Sequence, residues 1–160
     1  MNHSDIYIVS FFGHRSLYLY EEIERKMEKV ISDLIYYKKH VKFLVGRDGE
    51  FDRLTSSVVR RLVKKYDSGN ISHVLVLPYM RAEYRDNQEN FLTYYDEVEI
   101  CEESCQAHFK SAIQIRNRIM VDRSDLIVCC IQNQTGGAYK TIQYAESQNK
   151  RIINLAERKL

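Results

Sequence analysis

Six short runs rich in β-branched residues punctuate the chain, at Ile6 to Phe11, Val41 to Val45, His73 to Leu77, Glu97 to Ile100, Leu126 to Ile131 and Arg151 to Leu155. Each has strand length, and the central ones are apolar on both faces, as strands sandwiched between two layers must be. Between the first two, Ile23, Met27, Val30, Ile31, Leu34 and Ile35 recur at helical spacing. Glu21, Glu22 and Glu24 sit in the opening turns, where the helix dipole favours anions. Phe51, Leu54, Val58, Leu62 and Val63 repeat the pattern before the third run and close on Lys64 and Lys65. A third helix is predicted from His108 to Val121 and a fourth from Tyr139 to Gln148. Strands alternating with such helices predict an α/β fold, Rossmann-like, with a mainly parallel sheet and helices on both faces. Pro78 ends the third strand without costing an interior hydrogen bond. The stretch from Tyr79 to His108 breaks the regularity. Its polar run from Arg81 to Asn90, followed by Phe91, Tyr94 and Tyr95, reads as a lid or an excursion.

A length of 160 residues supports one core, so residues 1–160 are expected to form a single Rossmann-like domain. The 24 basic and 22 acidic side chains are interspersed and leave a net charge of +2, which argues against nucleic acid as a partner. The longest charge-free stretch, Leu126 to Tyr139, is shorter than the roughly 18 apolar residues of a membrane span, so no membrane is expected. The N-terminus lacks the basic start and apolar core of a secretory signal, and a cytoplasmic location follows as the expectation. Cys129 and Cys130 adjoin in a strand, point to opposite faces and read as buried thiols. Cys101, Cys105 and His108 do not have a standard zinc spacing and read as a reduced pair in a loop. No metal and no cofactor are expected. Two tyrosine pairs, Tyr18 with Tyr20 and Tyr36 with Tyr37, leave a homo-oligomer open.

In a parallel sheet the loops leaving the carboxyl ends of the strands share one edge, where helix N-termini present unpaired N–H groups to ligands. The unusual residues of this chain fall there. Gly13-His14-Arg15 follows the first strand, Gly46-Arg47-Asp48-Gly49-Glu50-Phe51-Asp52 the second, Pro78-Tyr79 the third and Thr135-Gly136-Gly137 the fifth. Glycines there allow close backbone approach to a phosphate, and Arg15 and Arg47 add charge. Asp52 has two readings, a cap on the second helix or a contact to ribose; His14 is an acid–base group or a packed loop residue. Arg116 lies in the middle of the apolar stripe formed by Phe109, Ala112, Ile113, Ile119 and Met120. It either pairs with Asp122 or Asp125, snorkels past its neighbours, or reaches an anionic ligand with Asn117 beside it.

The order of these motifs, continued by Tyr95-Asp96, Arg116-Asn117-Arg118-x-Met120-Val121-Asp122-x-Ser124-Asp125, Gly136-Gly137-Ala138-x-x-Thr141 and Ile152-Ile153-Asn154-Leu155, resembles the YpsA-like members of the SLOG superfamily. That superfamily joins the SMF/DprA and LOG proteins. The resemblance implies a small nucleotide-like ligand, bound or sensed at the carboxyl edge by Gly13, His14, Arg15, Gly46, Arg47, Asp48, Gly49, Asp52, Pro78, Tyr79, Arg116, Asn117, Gly136, Gly137 and Thr141. Tyr79 would stack on the base. The LOG enzymes cleave the N-glycosidic bond of nucleoside monophosphates with an arginine, which Arg116 matches, and a glutamate in Pro-Gly-Gly-x-Gly-Thr-x-x-Glu. Here Thr135 replaces the proline, and the glutamate's place falls on Gln143 or Tyr144, with Glu146 three residues beyond Gln143. No catalytic residue is assigned. An N-glycosidase drawing its carboxylate from Asp48 or Glu50 is the enzymatic alternative, and a single-stranded DNA binder the third reading.

Overall fold

The computed structural model describes residues 5–66 and 69–156. Six parallel strands form one sheet in the order β4-β3-β2-β1-β5-β6. They are β1 (Ile6–Gly13), β2 (His40–Val45), β3 (Ile71–Leu77), β4 (Glu97–Ile100), β5 (Leu126–Cys130) and β6 (Ile152–Asn154). The expected helices are α1 (Tyr20–Tyr37), α2 (Glu50–Tyr66), α5 (Phe109–Arg123) and α6 (Gly136–Ser147). The irregular stretch holds β4 and two short helices, α3 (Ala82–Asp86) and α4 (Gln88–Tyr94). Helices of five and seven residues are too short to show a periodic apolar stripe.

The period of two along each strand sorts the core into two layers. Val9, Phe11, Phe43, Val45, Leu75 and Leu77 face α1 and α2, which answer with Ile23, Met27, Ile31, Leu54 and Val58. Phe12, Leu44, Val74 and Val76 face α5 and α6, which answer with Met120, Val121, Ile142 and Ala145. Each such valine, leucine, isoleucine, phenylalanine or methionine, once buried, stabilises the fold by roughly 1.5–3 kcal/mol relative to exposure. Cys129 joins the α5–α6 layer and Cys130 the α1–α2 layer, both fully buried. None of the four cysteines is disulfide-bonded. Among the described residues no helix is long and apolar enough to cross a membrane.

From β1 the chain steps outward through β2, β3 and β4, then returns to the other side of β1 for β5 and β6. Val9 therefore pairs with Phe43 on one side and Leu126 on the other. At such a reversal the loops after the two neighbouring strands diverge, and a crevice opens above their carboxyl ends.

A cleft at the carboxyl edge

Two adjoining cavities occupy that edge, of about 450 Å³ and about 1050 Å³, and Arg15, Asp48, Asp52 and Ile113 line both. The smaller lies over the β1/β5 reversal. It gathers Gly13, His14, Gly46, Arg116, Asn117, Gly136 and Gly137. The larger takes Arg47, Gly49 and Tyr79, together with Arg81, Phe109 and the aromatic end of α4. Pro78 and Thr141 line neither cavity. The Pro78 carbonyl accepts from Ser104 Oγ at 2.6 Å. Thr141 is buried, donating to the Gly137 carbonyl and accepting from Asn117 Nδ2 at 3.0 Å, so it holds the α6 N-terminus against α5.

The glycines divide by what surrounds them. A Cβ on Gly13 would collide with the Phe51 ring, and one on Gly46 would fall 2.8 Å from Asp52 Oδ2, so both make room for protein side chains. Gly136 differs. Its φ of +91° excludes most side chains, and nothing lies within 4 Å of where its Cβ would be. The residue before it, Thr135, forms no side-chain cap, so the first N–H groups of the 12-residue α6 remain uncapped beside the smaller cavity.

Arg116 reaches this point from two turns inside α5. Its Nη1 donates to the Val76 carbonyl at 2.9 Å and its Nε to Asn117 Oδ1 at 3.1 Å. Neither expected carboxylate is its partner: Asp125 accepts from the Ile8 N–H and Asp122 from the Tyr144 hydroxyl. Arginine side chains lean toward the helix N-terminus, so the guanidinium arrives at the edge although its Cα lies deeper. Burial disfavours its charge, and Asp52 is the first of the neighbours that restore it. Burial likewise pushes the Asp52 carboxyl up to about 7, against the pull of Arg116.

His14 accepts from the Asn133 N–H at 3.2 Å through Nε2, and burial lowers its pKa, so the ring is neutral with its proton on Nδ1. Glu50 accepts from the Leu17 N–H at 2.7 Å, while the Glu50 N–H donates to the Arg15 carbonyl. It staples the β1 loop to the β2 loop and lines neither of the two cavities. Gln143 and Glu146 line a separate cavity on the outer side of α6. The carboxylate needed for N-glycosidic cleavage is therefore not supplied from α6.

On the larger cavity's wall two ion pairs cross between the β2 loop and α3. Arg81 grips Asp48 with both terminal nitrogens, at 3.0 and 2.7 Å, and Arg47 pairs with Glu83. Arg47 also lies 4.5 Å above the centre of the Phe91 ring. These partners lower the Asp48 and Glu83 pKa values and raise those of both arginines. Arg81, Phe91, Tyr94, Tyr95 and Phe109 were not among the sequence candidates. The cluster of arginine and aromatic residues after Pro78 was the available signal.

Two solved structures of DNA processing protein A, DprA, share this fold. The protein from Helicobacter pylori, whose structure describes its single-stranded DNA binding mode, aligns with a TM-score of 0.62 at 12% identity, over 91% of this chain and 63% of that one. The Streptococcus pneumoniae protein aligns with a TM-score of 0.64 at 13% identity, over 92% of this chain and 49% of that one. The chain thus spans less than two thirds of either protein. No family model and no curated protein matches the sequence. The H. pylori structure overturns the expectation against nucleic acid, since a protein with this fold binds a single strand. Net charge averages over the whole surface and so carries little weight against such a partner, whereas Arg15, Arg47, Arg53, Arg81 and Arg116 all line the two cavities.

Proposed function

We propose that the cleft binds a nucleotide unit, with its phosphate between the α6 N-terminus and Arg116. One observation carries this reading: the uncapped α6 N-terminus and the Arg116 guanidinium share a cavity at the reversal of strand order. Backbone N–H groups and a fixed guanidinium together suit an anion of phosphate size. The unit is a free nucleotide or one residue of a single strand. The fold shared with a single-stranded DNA binder favours the second source. Membership of the SLOG superfamily is supported by that fold and by the motif order, the YpsA-like placement by the motif order alone. The reading treats residues 1–160 as one ligand-binding domain, and four cysteines without a disulfide suit a cytoplasmic setting.

Thermal denaturation with inorganic phosphate, adenosine 5′-monophosphate or a single-stranded oligothymidylate tests it. A ligand-dependent rise in Tm is expected, and Arg116→Ala should weaken binding by about 10- to 100-fold, the worth of a charge-assisted hydrogen bond. Arg116→Lys, which keeps the charge, guards against a merely unfolded variant. Undiminished stabilisation in both variants returns Arg116 to a structural role and removes the reading. Stabilisation by the mononucleotide alone identifies a free ligand; stabilisation by the oligonucleotide alone identifies a strand.

A further inference from the structure

Along α5 the residues facing the cleft recur at helical spacing: Phe109, Ile113 and Arg116. Arg116 stands on the floor. Phe109, the first residue of the helix, stands at the rim of the larger cavity. It belongs to neither core layer and is 57% exposed, whereas Phe91 and Tyr95, which line the same cavity, are 7% and 6% exposed and already packed in the core. The expected apolar stripe therefore meets neither core layer at its first position, where the Phe109 ring stacks on His108, 4.6 Å between ring centres, and stays mostly exposed. Its remaining exposed surface, at the rim of a cavity, is apolar area that a flat ligand can cover. Tyr79, half-buried, offers a second ring on the same cavity.

We infer that Phe109 is a base-stacking residue, and that the cleft's ligand carries a planar nucleobase seated in the larger cavity while its phosphate occupies the smaller. The inference rests on the proposed nucleotide reading and adds the position of the base. Seven residues of helix separate Phe109 from Arg116, about 10 Å along the axis. Ile113, lining both cavities, lies where the sugar would pass. Stacking on a ring tolerates any base, so the rim selects for a base without choosing among the four.

Calorimetric titration of the full chain with ribose 5-phosphate and with adenosine 5′-monophosphate, in the native protein and in Phe109→Ala, Phe109→Tyr and Arg116→Ala, tests the inference. Phe109→Ala is expected to weaken the mononucleotide about tenfold and leave ribose 5-phosphate unchanged, and Phe109→Tyr to restore the mononucleotide. Equal loss for both ligands in Phe109→Ala, or no loss for either, overturns the inference. If Arg116→Ala still abolishes both, the phosphate site stands without it. Absence of binding by either ligand, with an oligothymidylate also silent, removes the phosphate site and the base position together.

Discussion

The floor and the rim of the cleft hold their charges by different physics. On the floor, Asp52 and Arg116 are displaced from their ordinary titration chiefly by loss of water. At the rim, Arg47, Asp48, Arg81 and Glu83 are displaced chiefly by the hydrogen bonds they make to one another. A desolvated charge costs stability unless a partner compensates it. A half-exposed ion pair is nearly neutral for folding, costing little to form and little to break. The floor thus keeps charges that burial disfavours, which under the proposed reading is what an anion would meet, whereas at the rim carboxylates already occupy the forks of the arginines.

Replacing Asp52 by Asn gives the largest expected effect. The carboxyl, ordinarily titrating at 3.8, is pushed up to about 7 in the folded chain. Below about pH 3 both states hold the proton and the group is silent. From there to pH 7 the unfolded chain ionises first, so stability falls, and above pH 7 the penalty is constant. Asp52→Asn should accordingly stabilise the protein at pH 8, by up to about 4 kcal/mol, with little gain at pH 4. Denaturant melts at the two pH values check this, and equal changes at both would show that burial does not govern the group.

A smaller effect follows for binding. An anion beside Asp52 favours its protonated form, so affinity for sulfate, which does not itself titrate here, should fall several-fold between pH 6 and pH 8. Asp52→Asn should flatten that profile. A native profile that is already flat places the anion away from the floor.

The smallest effect belongs to the rim. Asp48→Asn frees the Arg81 fork, whose Nε is already buried without a hydrogen-bond partner. Stability should fall by no more than about 1 kcal/mol, and phosphate should bind a few-fold more tightly. Weaker binding in this variant would make Asp48 part of the receptor and erase the distinction between floor and rim.

The sheet and its four longer helices were legible because their patterns are local: Val9 and Phe11 against Phe12, or Ile23, Met27 and Ile31, carry their burial in their spacing. The convergence of Gly13, Gly46 and Gly136 on one cavity followed from the topology of a parallel sheet. Other features depended on distance in the chain. Asp48 and Arg81 are 33 residues apart, and no spacing rule pairs them. Periodicity placed Phe109 on the apolar face of α5, but a face is not a partner, and the first turn of that face overlooks a cavity. For Gly13 and Gly46, ligand access and side-chain room are indistinguishable in sequence; Phe51 and Asp52 fill the space.

Cys129 and Cys130 are neighbours in the chain yet stand in separate hydrophobic layers. Burial holds the Cys130 thiol at about 11, so alkylation of that sulfur waits on local opening of the α1–α2 side. The adjacent sulfur answers instead to the α5–α6 side, where the anion would sit. A single peptide therefore carries two clocks, and a ligand that slows one while the other keeps time reveals which half of the molecule it has braced.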